Sequence, residues 1–284
     1  MTDRSKARCC VVTGAGSGLG RAMTLGLAQT GATVIAADVD EAGLDATVQQ
    51  SKTHPGRVVA HRADLTQQSE CKALIDKTVS SLGRIDVLVN CAGLNMAIFS
   101  REFLTKLVRF WEVDPDKWQR LYDVNVRAPF LLAHDAAPHM MRQGWGRIVN
   151  ITTSFSTMMR EGNTPYGQAK AALEASSACW SQELEGTGVT CNVLLPGGAA
   201  DTPMIPEDAP VDRSKLVPAA AMVAPLLYLA SDRSDGVTGI RILAARWRAD
   251  DSDEANLKQA GSPIGWPLLG AESGAPTRGS VASR

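Results

Sequence analysis

The stretch Arg8-Cys9-Cys10-Val11-Val12-Thr13-Gly14-Ala15-Gly16-Ser17-Gly18-Leu19-Gly20 decides the fold. The apolar run up to Thr13 reads as a buried strand. Leu19, Ala22, Met23, Leu27 and Ala28 then recur at helical spacing until Gly31 supplies a stop. Strand, glycine turn and helix in that order present backbone N–H groups and the positive end of a helix dipole to a phosphate. A glycine-rich loop alone matches many chains that have no such site. The strand before it and the helix after it give this match its weight.

Outward from the turn, apolar runs and helical patterns alternate. Strands are predicted at 8–13, 33–38, 57–62, 85–90, 147–153, 189–195 and 239–244. Helices are predicted at about 18–30, 41–51, 67–82, 115–142, 164–186 and 214–231. Strands that are apolar throughout and separated by helices indicate an α/β fold, a doubly wound parallel sheet of about seven strands with helices on both faces. Right-handed crossovers and a reversal of strand order put a ligand crevice at the C-terminal ends of the strands. The 284 residues suit one such domain over 1–247, with a substrate loop at about 200–216, followed by an extension over 248–284.

About 150 residues beyond the glycine turn, Tyr166 and Lys170 lie four apart, on one face of a predicted helix. A phenol titrates near ~10, and lowering that by ~3 units takes roughly 4 kcal/mol of differential stabilisation, which a nearby ammonium can supply. The spacing alone also describes an exposed helix face. Joined to a nucleotide-binding turn, it points to hydride transfer with a tyrosine as acid or base.

From about Arg8 to about Trp247 the chain resembles the short-chain dehydrogenase/reductase family, NAD(P)-dependent oxidoreductases on a Rossmann-type fold. Thr13 to Gly20 matches the family's cofactor turn, which implies contacts from Gly14, Ser17, Gly18, Leu19 and Gly20. Asp64, with Leu65, matches the acidic position at the adenine. Asn90-Cys91-Ala92-Gly93 matches the segment ending the fourth strand. Asn125 matches the catalytic asparagine, Tyr166 and Lys170 the catalytic pair, and Pro196-Gly197 with Thr202 the segment passing the nicotinamide. Without the family, Asn125 also reads as a core-bonded amide, and Asp64 as a cap for the following helix, with Thr66 beginning the turn.

One position departs from the pattern. The family's serine thirteen residues before the tyrosine is Thr153 here. Threonine keeps a hydroxyl for the substrate oxygen, while its methyl narrows the pocket and stiffens χ1. Ser154 is the alternative, pointing the opposite way if the strand continues. The resemblance implies that Thr153 and Tyr166 bond the substrate oxygen and that Lys170 sustains the phenolate and holds the nicotinamide ribose. It also implies that Asn125 positions a water.

Cofactor choice is read at the end of the second strand, where Asp38 stands eighteen residues after Gly20. A carboxylate there accepts from the ribose hydroxyls of NAD and repels a 2′-phosphate. Ser17 and Val39 fill places where relatives preferring NADP tend to carry a basic residue, so NAD is expected and NADP is the second reading. Asp38 also suits a helix N-terminal charge.

A net charge of −1 gives no electrostatic case for nucleic acid or an anionic membrane. No apolar run reaches the ~18 residues of a membrane span, and the polar start leads straight into the first strand, so a cytoplasmic protein is expected. Six cysteines without zinc-type spacing and four scattered histidines imply no metal site.

Leu94, Phe155, Met158, Met159 and the Asp201–Val211 loop with Met204 and Ile205 are the expected substrate pocket, suiting an apolar or cyclic secondary alcohol or ketone. The long segment between Asn95 and Trp118 is expected to form an extra helix or lid. In the extension, Asp250 to Glu254 reads as a linker, Ser262 to Leu269 as a docking stretch with Trp266 buried, and the last residues as disordered. The resemblance implies a homotetramer, with a dimer next, through the helices at 115–142 and 164–186. A catalytically idle nucleotide-sensing regulator and a lyase or epimerase using bound NAD are the rival readings. A sensor needs none of Asn125, Thr153, Tyr166 and Lys170.

Overall fold

The computed structural model describes residues 8–266. The opening run, Cys9–Thr13 (β1), is buried along its whole length, and α1 (Gly18–Gln29) follows the glycine turn. The alternation then continues through β2 (Thr33–Asp38), α2 (Glu41–Ser51), β3 (Arg57–Arg62), α3 (Gln68–Leu82) and β4 (Val87–Asn90). After a long crossover come α4 (Pro115–Tyr122), α5 (Ala128–Gln143), β5 (Gly146–Ile151), α6 (Phe155–Met158), α7 (Tyr166–Glu183) and β6 (Val189–Leu195). A small pair, β7 (Ala200–Asp201) and β8 (Val217–Pro218), ties the ends of the substrate loop ahead of α8 (Val223–Leu229) and β9 (Ile240–Leu243).

The large sheet has eight strands in the order β10-β9-β6-β5-β4-β1-β2-β3, one more than expected. The eighth, β10 (Gly261–Pro263), comes from the extension after α9 (Asp253–Ala260) and is antiparallel to β9, whereas the other pairings are parallel. It ends on Pro263, which offers no N–H to a further strand and so blunts the sheet edge. Strand periodicity divides the core. Cys10, Val12, Val34 and Ala36 face α1, α2 and α8, while Val11, Ile35, Ala37 and Leu88 face α3 and α5.

Several expected elements differ. The helix expected over 115–142 is broken by a π-helical turn, Asp123–Arg127, whose extra residue per turn carries Asn125 into the interior. The helix expected at 214–231 shortens to α8, because the chain before it pairs as β8. The acidic stretch is no linker. Ser252 Oγ accepts from the Ala255 N–H at 3.2 Å, and Asp253 and Glu254 suit the positive end of α9. Trp266 is half-buried rather than buried, its ring 5.7 Å from that of Phe155. Pro267 to Leu269 and the tail expected to be disordered lie outside the described residues. Among the described residues, no helix is long and apolar enough to cross a membrane and no acidic, His or Cys cluster could hold a metal.

Candidate active site

The crevice lies where the strand order reverses, at the C-terminal ends of β1 and β4. Gly14 has φ +69°, and a methyl built on it would stand 2.9 Å from the Ala92 Cα, so the two backbones nearly touch. Thr13 fixes that approach, its Oγ1 accepting from the Cys91 and Ala92 N–H groups, each at 3.0 Å. Gly20 packs as closely, since a methyl there would lie 2.0 Å from the Gly14 carbonyl oxygen. No side chain caps α1 behind Ser17, which leaves the N–H donors of its first turn, at Gly18, Leu19 and Gly20, to a ligand. Thr202 closes over the turn, its Cβ 3.1 Å from where a Gly18 methyl would sit.

Asp38 points into the same turn. Its Oδ2 accepts from the Gly16 N–H at 2.9 Å and its Oδ1 from the Asp40 N–H at 3.1 Å, with Val39 exposed beside it. Asp64 Oδ1 accepts from the N–H and the hydroxyl of Thr66, at 3.0 and 2.8 Å. The Thr66 backbone bond leads in holding its carboxyl below the usual range. That oxygen therefore closes a turn ahead of α3 and does not cap the helix, whose N-cap is Gln67, while Leu65 is core. Asn90 donates to Asn150 Oδ1 at 2.8 Å, and its own Oδ1 is buried without a partner. The Pro196 carbonyl is held by the Ala245 N–H at 2.9 Å, and Gly197 turns at φ +90°.

α7 begins at Tyr166, so Tyr166, Lys170 and Glu174 share one helix face. Lys170 is buried and its Nζ donates to the Ile151 carbonyl at 2.8 Å. Asn125 is buried with both ends of its amide on residue 94, accepting from the Leu94 N–H at 2.7 Å and donating to the Leu94 carbonyl at 2.8 Å. A methyl on Gly93 would meet Asn125 Oδ1 at 3.4 Å and Lys170 Nζ at 3.5 Å, so all three border one space.

The Thr153 hydroxyl favours the Tyr166 phenolate, but burial outweighs it and pushes the phenol up to about 12. Burial likewise brings Lys170 down to about 8, with Cys91 opposing. This corrects the expectation of a phenol lowered by its lysine. The ammonium is directed at Ile151, and the phenol keeps its proton at neutral pH. Ser154 belongs elsewhere. β5 ends at Ile151, and Ser154 caps α6, its Oγ accepting from the Thr157 N–H at 3.3 Å and pairing with Thr157 Oγ1 at 2.8 Å.

Behind Thr153 is a group that sequence reasoning missed. Arg241 Nη2 donates to the Thr153 carbonyl at 3.2 Å, and Arg241 Nε lies 2.8 Å from Glu174 Oε1. Glu174 Oε2 accepts from Thr152 Oγ1 at 3.0 Å. A lone arginine in an apolar strand, and a glutamate one turn beyond Lys170, were the available signals.

Of the expected pocket residues, Leu94 is half-buried and Phe155, Met159 and Met204 are exposed. Met158 and Ile205 are buried instead; Met158 packs its backbone under Gly167 and forms no open wall. The segment after Asn95 holds two 3₁₀ turns, Met96–Ile98 and Phe110–Glu112, in place of the expected helix.

A doubly wound sheet with a glycine turn, an acid ending β2 and a half-buried tyrosine one turn before a buried lysine at one crevice defines the class of dinucleotide-dependent oxidoreductases. The family model for short chain dehydrogenase matches residues 8–211, and the chain belongs to that family. It is 36% identical over 245 residues to the 3-oxoacyl-[acyl-carrier-protein] reductase FabG of Thermotoga maritima, covering 83% of this chain and 95% of that one. It is 30% identical over 260 residues to the human (3R)-3-hydroxyacyl-CoA dehydrogenase, covering 85% and 95% of the two chains. Among solved structures, it resembles a protein of Beutenbergia cavernae provisionally described as an NAD(P)-dependent gluconate 5-dehydrogenase, with NADP bound at low occupancy. The TM-score is 0.71 at 28% identity, covering 83% of this chain and 94% of that one.

Proposed function

We propose that this chain moves a hydride between NAD and a secondary alcohol or ketone, with Tyr166 as general acid and base. The carrying observation is Tyr166 and the buried Lys170 on one face of α7, with Lys170 Nζ, Asn125 and Gly93 around one space at the strand ends that also hold the glycine turn. The residues present fit a dinucleotide. The uncapped start of α1 offers donors to a pyrophosphate, Asp38 offers acceptors to a ribose, and Gly93 leaves room that a Cβ would fill. A bound nicotinamide would supply or take the hydride. Thr153 and Tyr166 hold the substrate oxygen, and Tyr166 gives its proton to that oxygen in reduction and takes it back in oxidation. Lys170 keeps positive charge beneath the phenol from its seat on Ile151. Asn125 fixes the backbone of residue 94 so that Gly93 stays clear.

The names of both curated relatives point to acyl substrates oxidised or reduced at the 3-position, which makes 3-oxoacyl thioesters the first ketones to assay. Oxidation of NADH in their presence, followed by absorbance, tests the reading. No turnover of any ketone or secondary alcohol would leave the idle regulator in its place. Copies would meet through α4 and α5, where Trp118, Phe130 and Met141 are exposed.

Two expected results bear on the cofactor. NADH should exceed NADPH at least about tenfold in kcat/KM, because a 2′-phosphate would meet the Asp38 carboxylate, and Asp38→Ser should narrow the gap. The NADP found in the Beutenbergia cavernae protein favours the opposite reading, and a wild-type preference for NADPH would establish it. Gly20→Ala should weaken NADH binding at least about tenfold by calorimetry, since the new methyl displaces the Gly14 carbonyl. Unaltered affinity would mean the turn does not cradle the dinucleotide.

A further inference from the structure

Exposed apolar side chains are not scattered over this molecule. Of the eleven large hydrophobic residues exposed among the described residues, seven lie on three loops around the mouth of the crevice. Leu104, Leu107, Phe110 and Trp111 sit on the segment after β4, and Phe155 and Met159 follow Thr153. Met204 is on the substrate loop. Phe110 and Trp111 pack edge to face with ring centroids 5.0 Å apart, yet they are 68% and 69% exposed. A patch of this kind costs free energy in water unless something apolar covers it.

The three loops form one continuous rim. A methyl on Gly162, four residues before Tyr166, would stand 2.7 Å from Leu107 Cδ2, so the Leu107 side chain packs on the loop leading into α7. The Arg109–Glu161 pair at 3.4 Å ties the same two loops. Toward the substrate loop, Arg101 approaches Asp208 at 3.8 Å, and Asn95 Nδ2 donates to the Met204 carbonyl at 2.9 Å. The Met204 methyl lies 3.8 Å from where a Gly93 Cβ would be, next to the space shared by Lys170 and Asn125. The apolar rim therefore runs inward to the candidate reaction centre without a polar break at Met204.

We infer that this rim, built on residues 101–112, is a binding subsite for the apolar tail of the substrate, a long acyl or aryl-acyl chain whose carbonyl reaches Tyr166. The inference rests on the oxidoreductase reading above. A second copy of the chain is the poorer occupant, because the rim runs inward at Met204 to the space beside Lys170, which a flat subunit contact would not use. A rim joined to the crevice serves a ligand that is part in and part out. One or two aromatic rings laid along an alkyl chain remove both from water, and each methylene so covered is worth about fourfold in affinity.

The test is a series of 3-oxoacyl N-acetylcysteamine thioesters with four-, eight- and twelve-carbon chains, reduced with NADH by the wild type and by a Phe110→Ala/Trp111→Ala variant. Wild-type kcat/KM should climb at least about tenfold along the series. The variant should lose about tenfold on the longest member, through KM, and nothing on the shortest. Equal profiles for the two proteins overturn the subsite while leaving the reaction standing. Equal losses at every length, with a smaller particle in light scattering, overturn it in favour of a subunit contact. Should no thioester be reduced, the oxidoreductase reading is what fails for this class. Calorimetric binding of the twelve-carbon thioester, tighter to the wild type than to the variant, then still decides for or against the subsite.

Discussion

Tyr166→Phe is expected to lower kcat about 10²- to 10⁴-fold with every substrate while leaving the NADH Kd unchanged. The ring stays in place and only the phenolic oxygen is lost, so the glycine turn, Asp38 and the Lys170 seat on Ile151 are untouched. What disappears is the phenolic proton donor that the proposed reaction pairs with the Thr153 hydroxyl. Thr153→Ser should retain most of the activity and Thr153→Val little of it, because the hydroxyl and not the methyl meets the substrate oxygen. The direction of the pKa shift adds a pH signature. With the phenol pushed up to about 12, its proton is present across the neutral range, so ketone reduction should be flat there. Alcohol oxidation needs the phenolate and should rise with pH. Stopped-flow single turnover and NADH titration measure both halves. A Phe variant with unchanged turnover removes Tyr166 from the chemistry.

Much of this arrangement was legible in the chain because it depends on local pattern. β2, α2, β3 and β6 begin and end where their periodicity and flanking residues set them. The parts that were not legible are set by tertiary contacts. Nothing in Asp123-Val124-Asn125-Val126 announces a π-helical turn; it forms where Asn125 reaches across to clamp Leu94. β10 is Gly-Ser-Pro, too short and too polar to look like a strand, and it exists because β9 offers an open edge. α9 has a polar pattern that reads as a linker, although Ser252 was a visible cap. The state of Tyr166 is not legible for the same reason, since the Y-x-x-x-K spacing brings an ammonium near but does not fix how far burial raises the phenol. Met158 looked like a wall and is core, because the strand ends earlier than the apolar pattern does and α6 turns it inward.

Either Arg241→Met or Glu174→Leu should destabilise the fold by about 3–5 kcal/mol, and the two together should cost far less than their sum. Glu174 is fully buried and Arg241 partly so, and they face each other at 2.8 Å between α7 and β9. Removing one partner strands a charge in a place that water does not reach. Burial already raises the Glu174 carboxyl, and Arg241 and Thr152 only partly offset it, so the pair has little reserve. Replacing both with apolar side chains of similar size removes the desolvation penalty along with the attraction. Urea denaturation of the four proteins closes the cycle, and additive losses would mean that the two side chains do not interact. The pair also separates stability from catalysis. The double variant, though folded, lacks the Arg241 hydrogen bond to the Thr153 carbonyl, which holds the residue whose hydroxyl meets Tyr166. It should therefore lose kcat about tenfold with little change in the KM for NADH, and a further Thr153→Val change should cost it less than that change costs the wild type. Full activity in the stable double variant would reduce Arg241 to a structural partner of Glu174.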